Sequence, residues 1–188
     1  MGGRLLGGQP PRPHLMERAR WRYASPMSGP THEEPHLKAP VSLLEHIRAL
    51  TEGETDEIAI MATIACELHH ADPRFDWTGF YRVVSPGLLK IGPYQGGHGC
   101  LAIPFERGVC GRCAREGQTQ IVADVDAAPD HIACSSTTRS EIVVPVFDRR
   151  GRLRAVLDID SDRPAAFDTA DAAFLEEVCH MLGAAFDA

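Results

Sequence analysis

Cysteine is the residue type whose distribution in this sequence first suggests chemistry. Six cysteines occur among 188 residues, and four of them fall within a stretch of about 35 positions rich in Gly, Ser and Pro: Cys100, Cys110, Cys113 and Cys134. Because no export signal is evident, we expect metal binding or thiol chemistry from these four and not a structural disulfide framework. Cys66 and Cys179 fall among apolar neighbours in helical patterns, where a thiol usually serves as a small buried hydrophobe.

The spacing Cys110-Gly-Arg-Cys113 is that of a zinc knuckle or of a dithiol redox pair. His131 and Cys134 could complete a Cys₃His zinc set, but one C-x-x-C is a weak metal signal, and the chain has enough apolar residues to fold without metal. Cys134 follows His131 and precedes Arg139 in a polar segment, which suits an exposed thiolate. Thiol chemistry without a metal or another cofactor is therefore favoured, with zinc binding as the alternative.

Acidic and aromatic side chains occur on one face of the predicted strands, whose other face is apolar. Alternation along LDIDS places Asp158 and Asp160 on one face, and the strands DWTGFY and SEIVVP bring Trp77, Tyr81 and Glu141. A solvent-exposed sheet face would explain any one of these residues without a function. Taken together in a partly enclosed pocket, such carboxyls cannot all ionise cheaply, so at least one pKa should rise. Such a pocket favours a small cationic or zwitterionic ligand, because it offers a protonated acid, an ionised neighbour and two aromatic rings.

Apolar periodicity predicts the elements that must position these residues. Residues 41–50 and 58–68 repeat at helical spacing, Asp168 is expected to cap a closing helix, and a brief helix is expected near residues 108–117. Six strands are predicted at residues 76–84, 88–96, 100–105, 119–122, 141–147 and 153–160. This order predicts an α+β domain, with helices on one face of an antiparallel sheet and the polar connection 123–139 on the other.

Composition and charge narrow the class of protein. With 44% hydrophobic and 24% charged residues the chain has an ordinary globular composition, and its net charge of −7 argues against nucleic acid as a partner. Residues 1–38 are rich in Pro and Gly and show no apolar period, so we expect a disordered leader or an over-extended start before a single domain, 39–188. No run of eighteen apolar residues occurs, so we expect a soluble, cytoplasmic protein that does not enter membranes.

Six separated motifs resemble one known family. DWTGFY, GPYQG with Cys100 just beyond it, Gly-Val-Cys110-Gly, DHIAC ending in Cys134, SEIVVP and VLDIDS follow one another over residues 41–186. In this order and spacing they closely resemble the free methionine-(R)-sulfoxide reductases, which are stand-alone GAF domains. The resemblance implies a GAF-like α+β fold, a six-stranded antiparallel sheet flanked by N- and C-terminal helices.

The same resemblance implies an activity and its machinery. The activity is reduction of free L-methionine (R)-sulfoxide by a homodimer that thioredoxin recycles through a disulfide. By position, the implied roles are the catalytic cysteine Cys134, the resolving cysteines Cys100 and Cys110, the substrate-binding and proton-handling acids Glu141, Asp158 and Asp160, and the pocket aromatics Trp77 and Tyr81. Cys113 is an addition to the family pattern, so Cys100, Cys110 and Cys113 all stay open as the resolving thiol. The alternative function is a non-catalytic GAF module that senses oxidants or binds a small ligand.

Overall fold

Residues 40–127 and 136–187 are described by the computed structural model of the chain. The predicted leader, residues 1–38, lies outside these ranges, as do His131 and Cys134. Besides two short 3₁₀ turns, the described residues form α1 (Pro40–Leu50), α2 (Glu57–Ala71), β1 (Trp77–Ser85), β2 (Leu88–Gln95), β3 (Ala102–Pro104), α3 (Gly108–Glu116), β4 (Gln120–Val122), β5 (Ser140–Phe147), β6 (Leu153–Ser161) and α4 (Thr169–Gly183). None of these helices is long and apolar enough to cross a membrane.

Both long helices, α2 and α4, begin at an aspartate. The Asp56 carboxylate accepts hydrogen bonds from two backbone N–H groups of the first turn of α2. At α4, the Asp168 carboxylate accepts from the N–H of Asp171 at 3.0 Å, and the Asp171 side chain accepts from the N–H of Asp168 at 3.1 Å. These reciprocal bonds satisfy N–H groups that have no partner inside a helix. The predicted cap at Asp168 is confirmed.

The six strands form one antiparallel sheet in the order β3-β2-β1-β6-β5-β4. Two hairpins, β1–β2 and β5–β6, supply most of its length, and their turns pass through Gly87 and Gly151, whose φ angles are +76° and +73°. Glycine adopts this left-handed conformation without the strain that a Cβ would cause. The predicted six-stranded antiparallel sheet is confirmed, although β3 is shorter than the segment 100–105, because it pairs only with Leu88–Lys90 of β2.

The sheet separates two cores. One face carries alternate residues such as Phe80, Ile142 and Leu157 against α1, α2 and α4. The opposite face, which carries the candidate pocket, packs against α3 through Val109, Cys110, Cys113 and Ala114. We expected only the connection 123–139 on this face, so the position of α3 is a correction. The cause is the buried stripe of α3 itself, which needs an apolar surface and finds Val143 and Val156 of the sheet.

A buried ion triad holds the start of β1 against α4. The Arg74 guanidinium donates to both carboxylate oxygens of Asp72 and of Asp171, at 2.8 to 3.1 Å, and to the backbone oxygen of Ala166 at 2.6 Å. These partners raise the pKa of Arg74, although burial alone would lower it. Because every charge in the triad has several hydrogen bonds, it fixes the segment that leads directly into Trp77.

Candidate functional site

Three carboxyl side chains meet at the centre of the α3 face of the sheet. The strand register pairs Glu141 of β5 with Asp160 of β6, and Asp158 lies two residues before Asp160 on the same face. One ligand oxygen from each of the three residues lies within 4.8 Å of the others. Glu141 and Asp158 are each only 6% exposed. The predicted grouping of Asp158 with Asp160 is thus confirmed, and Glu141 lies directly across the ladder from Asp160.

Burial makes these carboxyls unusually weak acids. Burial, followed by the charge of Asp160, raises the pKa of Glu141 to about 8, while the nearby Arg112 opposes the rise. Burial, followed by the charge of Asp162, raises the pKa of Asp160 to about 7. Burial and the charges of Asp160 and Glu141 also raise the pKa of Asp158. The Glu141 carboxyl donates a hydrogen bond to Asp160, so near neutral pH the cluster holds both a proton and a negative charge.

One oxygen of Asp158 is left without a partner by the part of the chain that the structure describes. Its Oδ1 atom is buried and has no hydrogen-bond partner among the described residues. Its carboxylate accepts a hydrogen bond from the Cys110 thiol. Leaving a buried acceptor unsatisfied costs on the order of 1–3 kcal/mol, which is typical of a site kept for a ligand.

An aromatic wall stands beside the acids. Trp77 pairs with Asp160 across β1 and β6, and its ring stacks between Tyr81 at 5.8 Å and Tyr94 at 5.5 Å between centroids. Gly79 makes this possible, because a Cβ there would lie 2.6 Å from Cη2 of Trp77 and 2.4 Å from Cβ of Tyr94. The sequence prediction included Trp77 and Tyr81, with Gly79 on the same side of the strand, but missed Tyr94.

A cavity of about 440 Å³ opens beside this wall. Trp77 and Asp160 line it, together with two further acids at its mouth, Asp76 and Asp162. Asp76 accepts a hydrogen bond from the backbone N–H of Asp162 at 2.8 Å. Neither mouth acid was singled out from the sequence, although each lies next to a motif residue that was. Asp160 is thus the member of the carboxyl cluster that lines the cavity, and the two further acids make its lining negative, a setting suited to an ammonium group.

The cysteines differ sharply in state and surroundings. Cys100 is disulfide-bonded, whereas Cys66, Cys110, Cys113 and Cys179 are free thiols. Burial and the charge of Asp158 raise the pKa of Cys110. Cys113 is fully buried, its thiol donates to the backbone oxygen of Val143 at 3.6 Å, and burial raises its pKa also. A fully buried thiol has no surface to offer a reaction partner, whether a sulfenic acid or an external reductant, so we do not retain Cys113 as a candidate resolving thiol.

Among the described residues, the cluster with metal-ligand spacing is the carboxyl triad and not the cysteines. Three carboxylates would suit a hard cation such as Mg²⁺ or Mn²⁺ better than zinc. The zinc alternative rested on Cys110, Cys113, His131 and Cys134, and the last two of these residues lie outside the described ranges.

Arg112 is a site residue that the sequence prediction missed. It lies on α3 between Cys110 and Cys113. Burial raises the pKa of both Glu141 and Cys113, and the positive charge of Arg112 makes each rise smaller. Its Nε atom is buried and has no hydrogen-bond partner among the described residues. A basic residue inside a short Gly-rich helix gives no sequence signal of this role, because the role depends on where α3 packs.

Comparison with known proteins places this geometry in a family. The chain matches the GAF domain family over residues 54–187. It is similar to the solved structure of free methionine-R-sulfoxide reductase from Neisseria meningitidis in complex with its substrate, with 45% identity, a TM-score of 0.75, and coverage of 79% of this chain and 88% of that one.

Curated relatives agree with this placement. Protein YtsP of Bacillus subtilis is 42% identical over 141 residues, which are 74% of this chain and 86% of the relative. The free methionine-R-sulfoxide reductase of Saccharomyces cerevisiae is 36% identical over 146 residues, covering 74% of this chain and 81% of that enzyme. The chain belongs to the GAF domain family and, within it, to the free methionine-(R)-sulfoxide reductases.

Proposed function

We propose that this protein reduces free L-methionine (R)-sulfoxide to L-methionine, as its named relatives do. The observation that carries the proposal is the carboxyl cluster, which holds a proton and a negative charge at neutral pH beside an aromatic wall. The ionised acid would bind the substrate ammonium group, and Trp77 and Tyr81 would contact its sulfur-bearing chain. A methionine within a protein has no free ammonium group, so this pocket favours the free amino acid.

In the proposed reaction, the Cys134 thiolate attacks the electrophilic sulfoxide sulfur. The protonated Glu141 carboxyl supplies a proton to the departing oxygen, which is transferred to the cysteine sulfur, so that methionine leaves and Cys134 becomes a sulfenic acid. Cys100 then attacks the sulfenic sulfur, an S–S bond forms, and the S–O bond breaks to release water. Methionine sulfoxide is reduced, and two thiols are oxidised to one disulfide.

Cys100 is our choice for the resolving thiol. The disulfide-bonded state of Cys100 and the free state of Cys110 support this assignment over a bond to Cys110. Cys110 instead donates its thiol proton to Asp158, where it would keep that carboxyl in place beneath the substrate. Its raised pKa keeps it protonated, and a protonated thiol is a poor nucleophile.

We further propose thioredoxin as the external reductant, a homodimer as the assembly and the cytoplasm as the compartment, as the family resemblance implies. A dithiol reductant in a reducing compartment would reopen the Cys100 disulfide after each turnover. Sedimentation of the full chain over a range of concentrations tests the dimer, and turnover with thioredoxin, thioredoxin reductase and NADPH tests the reductant.

One experiment tests the proposed activity directly. The full chain is incubated with a thiol reductant and each epimer of free methionine sulfoxide, and methionine is measured by chromatography. We expect consumption of the (R) epimer and not of the (S) epimer, and no reduction of an (R)-sulfoxide within a peptide. Absence of methionine from both free epimers would overturn the proposal in favour of the binding or sensing module.

The pH profile carries a separate prediction about Arg112. If Glu141 supplies the proton, activity falls as the pH rises through the pKa of the cluster, near pH 8. Burial and the charge of Asp160 on β6 raise the pKa of Glu141, whereas the positive charge of Arg112 on α3 lowers it. Arg112→Met should therefore move the alkaline limb of kcat/KM to higher pH. Arg115→Met, on the same helix but exposed, should leave the limb in place, and identical limbs in both variants would contradict the role of Arg112.

A further inference from the structure

We propose that Gly99 is a positioning residue, whose missing side chain lets the loop of residues 96–101 lie against Trp77 and Tyr81 so that Cys100 is held where it closes the disulfide. The inference rests on the proposed function, because it concerns the second step of that reaction. We call this segment the Cys100 loop. The proposal couples two parts of the site, since the aromatics expected to contact substrate also anchor the loop that carries the resolving thiol.

Three hydrogen bonds anchor the Cys100 loop to β1 and β2. Trp77 Nε1 donates to the backbone oxygen of Gly97 at 3.1 Å. The backbone N–H of Cys100 donates to the hydroxyl oxygen of Tyr81. The N–H of Ile91 donates to the backbone oxygen of Leu101 at 3.3 Å. The loop is thus held on both sides of Gly99 and at Cys100 itself.

Gly99 lies closer to the aromatic wall than any other residue type could. A Cβ at this position would be 2.9 Å from Cζ2 of Trp77, from Oη of Tyr81 and from Cδ1 of Ile91. Trp77 and Tyr81 are 6% and 1% exposed, whereas residues 96–98 of the loop are exposed. Because the rings are packed and residues 96–98 are exposed, an added methyl group would displace the loop and not the rings.

Displacing the loop should slow disulfide closure more than methionine formation. A disulfide forms only within a narrow range of Cα separation and side-chain direction, so a small shift of Cys100 removes much of the reactive population. Reduction of the sulfoxide requires Cys134 and a proton donor but no Cys100 thiol. The expected signature is therefore a sulfenic acid that persists on a protein that has already released methionine.

The test compares Gly99→Ala with Gly97→Ala in the fully reduced full chain. The added Cβ of Gly97→Ala meets no atom within 4 Å, so this variant adds the same methyl group to the same loop without a clash. Each protein is mixed with one equivalent of free methionine (R)-sulfoxide and quenched over time. Methionine, remaining thiols and the sulfenic acid trapped by a cyclic 1,3-diketone are counted.

We expect wild type and Gly97→Ala to lose two thiols per methionine at equal rates with little trapped sulfenic acid. Gly99→Ala should form methionine and then close the disulfide at least about tenfold more slowly, a modest effect for a misplaced reacting group. Closure at the wild-type rate in Gly99→Ala would overturn the inference and leave the proposed function intact. Absence of methionine from wild type would instead overturn the proposed function.

Tyr81→Phe provides a second variant if Gly99→Ala does not fold. It removes the acceptor of the Cys100 N–H bond and adds no atoms. Because Tyr81 is also a pocket residue, the measured quantity is the ratio of closure rate to methionine-formation rate within the same variant. We expect that ratio to fall relative to wild type, and an unchanged ratio would count against the anchoring of the loop.

Discussion

Cys134→Ser should form no methionine when the fully reduced protein is mixed with one equivalent of free methionine (R)-sulfoxide. A serine hydroxyl has a pKa far above that of a thiol and cannot accept the sulfoxide oxygen as a stable sulfenic acid, so the first chemical step has no substitute. Chromatographic measurement of methionine in a single turnover isolates that step from recycling. We expect about one methionine per wild-type protein.

Two other cysteine variants make this result specific. Cys66→Ser changes a partly exposed thiol on α2, which packs on the face of the sheet opposite the site, and should still yield one methionine per protein. Cys100→Ser should also yield one methionine but should stop there, with a trappable sulfenic acid and no disulfide. If Cys134→Ser still released about one methionine per protein, Cys134 would not be the nucleophile, and Cys110 would be the next thiol to test.

Strand alternation was sufficient to place Asp158 and Asp160 together, because side chains two residues apart must share a face. Strand alternation was not sufficient to place Glu141 beside these two aspartates. The pairing of Glu141 with Asp160 depends on the register of β5 against β6, which shifts once between Val146 and Phe147 near the hairpin turn. A shift of one residue reverses the face of every side chain, so local periodicity cannot determine such a contact. The family resemblance supplied it.

Two other parts of the site depend on packing that no local pattern contains. Tyr94 reaches Trp77 because β1 and β2 change register between Gly79 and Tyr81, and a bulge of this kind has no fixed sequence signature. Cys110 and Cys113 lie one turn apart on one face of α3, the brief helix that the sequence predicts near residues 108–117. The spacing could not show that this face lies against the sheet, so it could not exclude Cys113 as a thiol that exchanges with an external reductant.

Asp158→Asn should lower kcat/KM by at least about 30-fold, which corresponds to about 2 kcal/mol of lost transition-state stabilisation. The amide keeps the size of the side chain but removes a carboxyl that shares its titration with the neighbouring acids of the cluster. Glu141→Gln and Asp160→Asn should show losses of the same order, because an amide can neither supply the proton nor accept it. Steady-state kinetics of purified variants measures these losses.

The same substitution should stabilise the fold, and the effect should grow with pH. Burial raises the pKa of Asp158 in the folded protein above its value in the unfolded chain. Below the unfolded pKa, both states hold the proton, and Asp and Asn should be nearly equivalent. As the pH rises towards the folded pKa, the unfolded chain ionises while the folded site resists, so wild type loses free energy of unfolding. Asn has no proton to lose and is spared this cost.

Urea unfolding of wild type and Asp158→Asn at pH 4 and pH 8 measures this difference. We expect closely similar free energies of unfolding at pH 4 and a more stable Asp158→Asn at pH 8. Glu177→Gln, which neutralises an exposed carboxylate on α4, is the matched control and should show no such pH-dependent gain. A site that sacrifices stability to keep a buried carboxyl is one that needs it for a ligand or a proton. Full activity in Asp158→Asn would instead assign the aspartate to packing. So would a stability difference between variant and wild type that turns against the variant as the pH rises from 4 to 8.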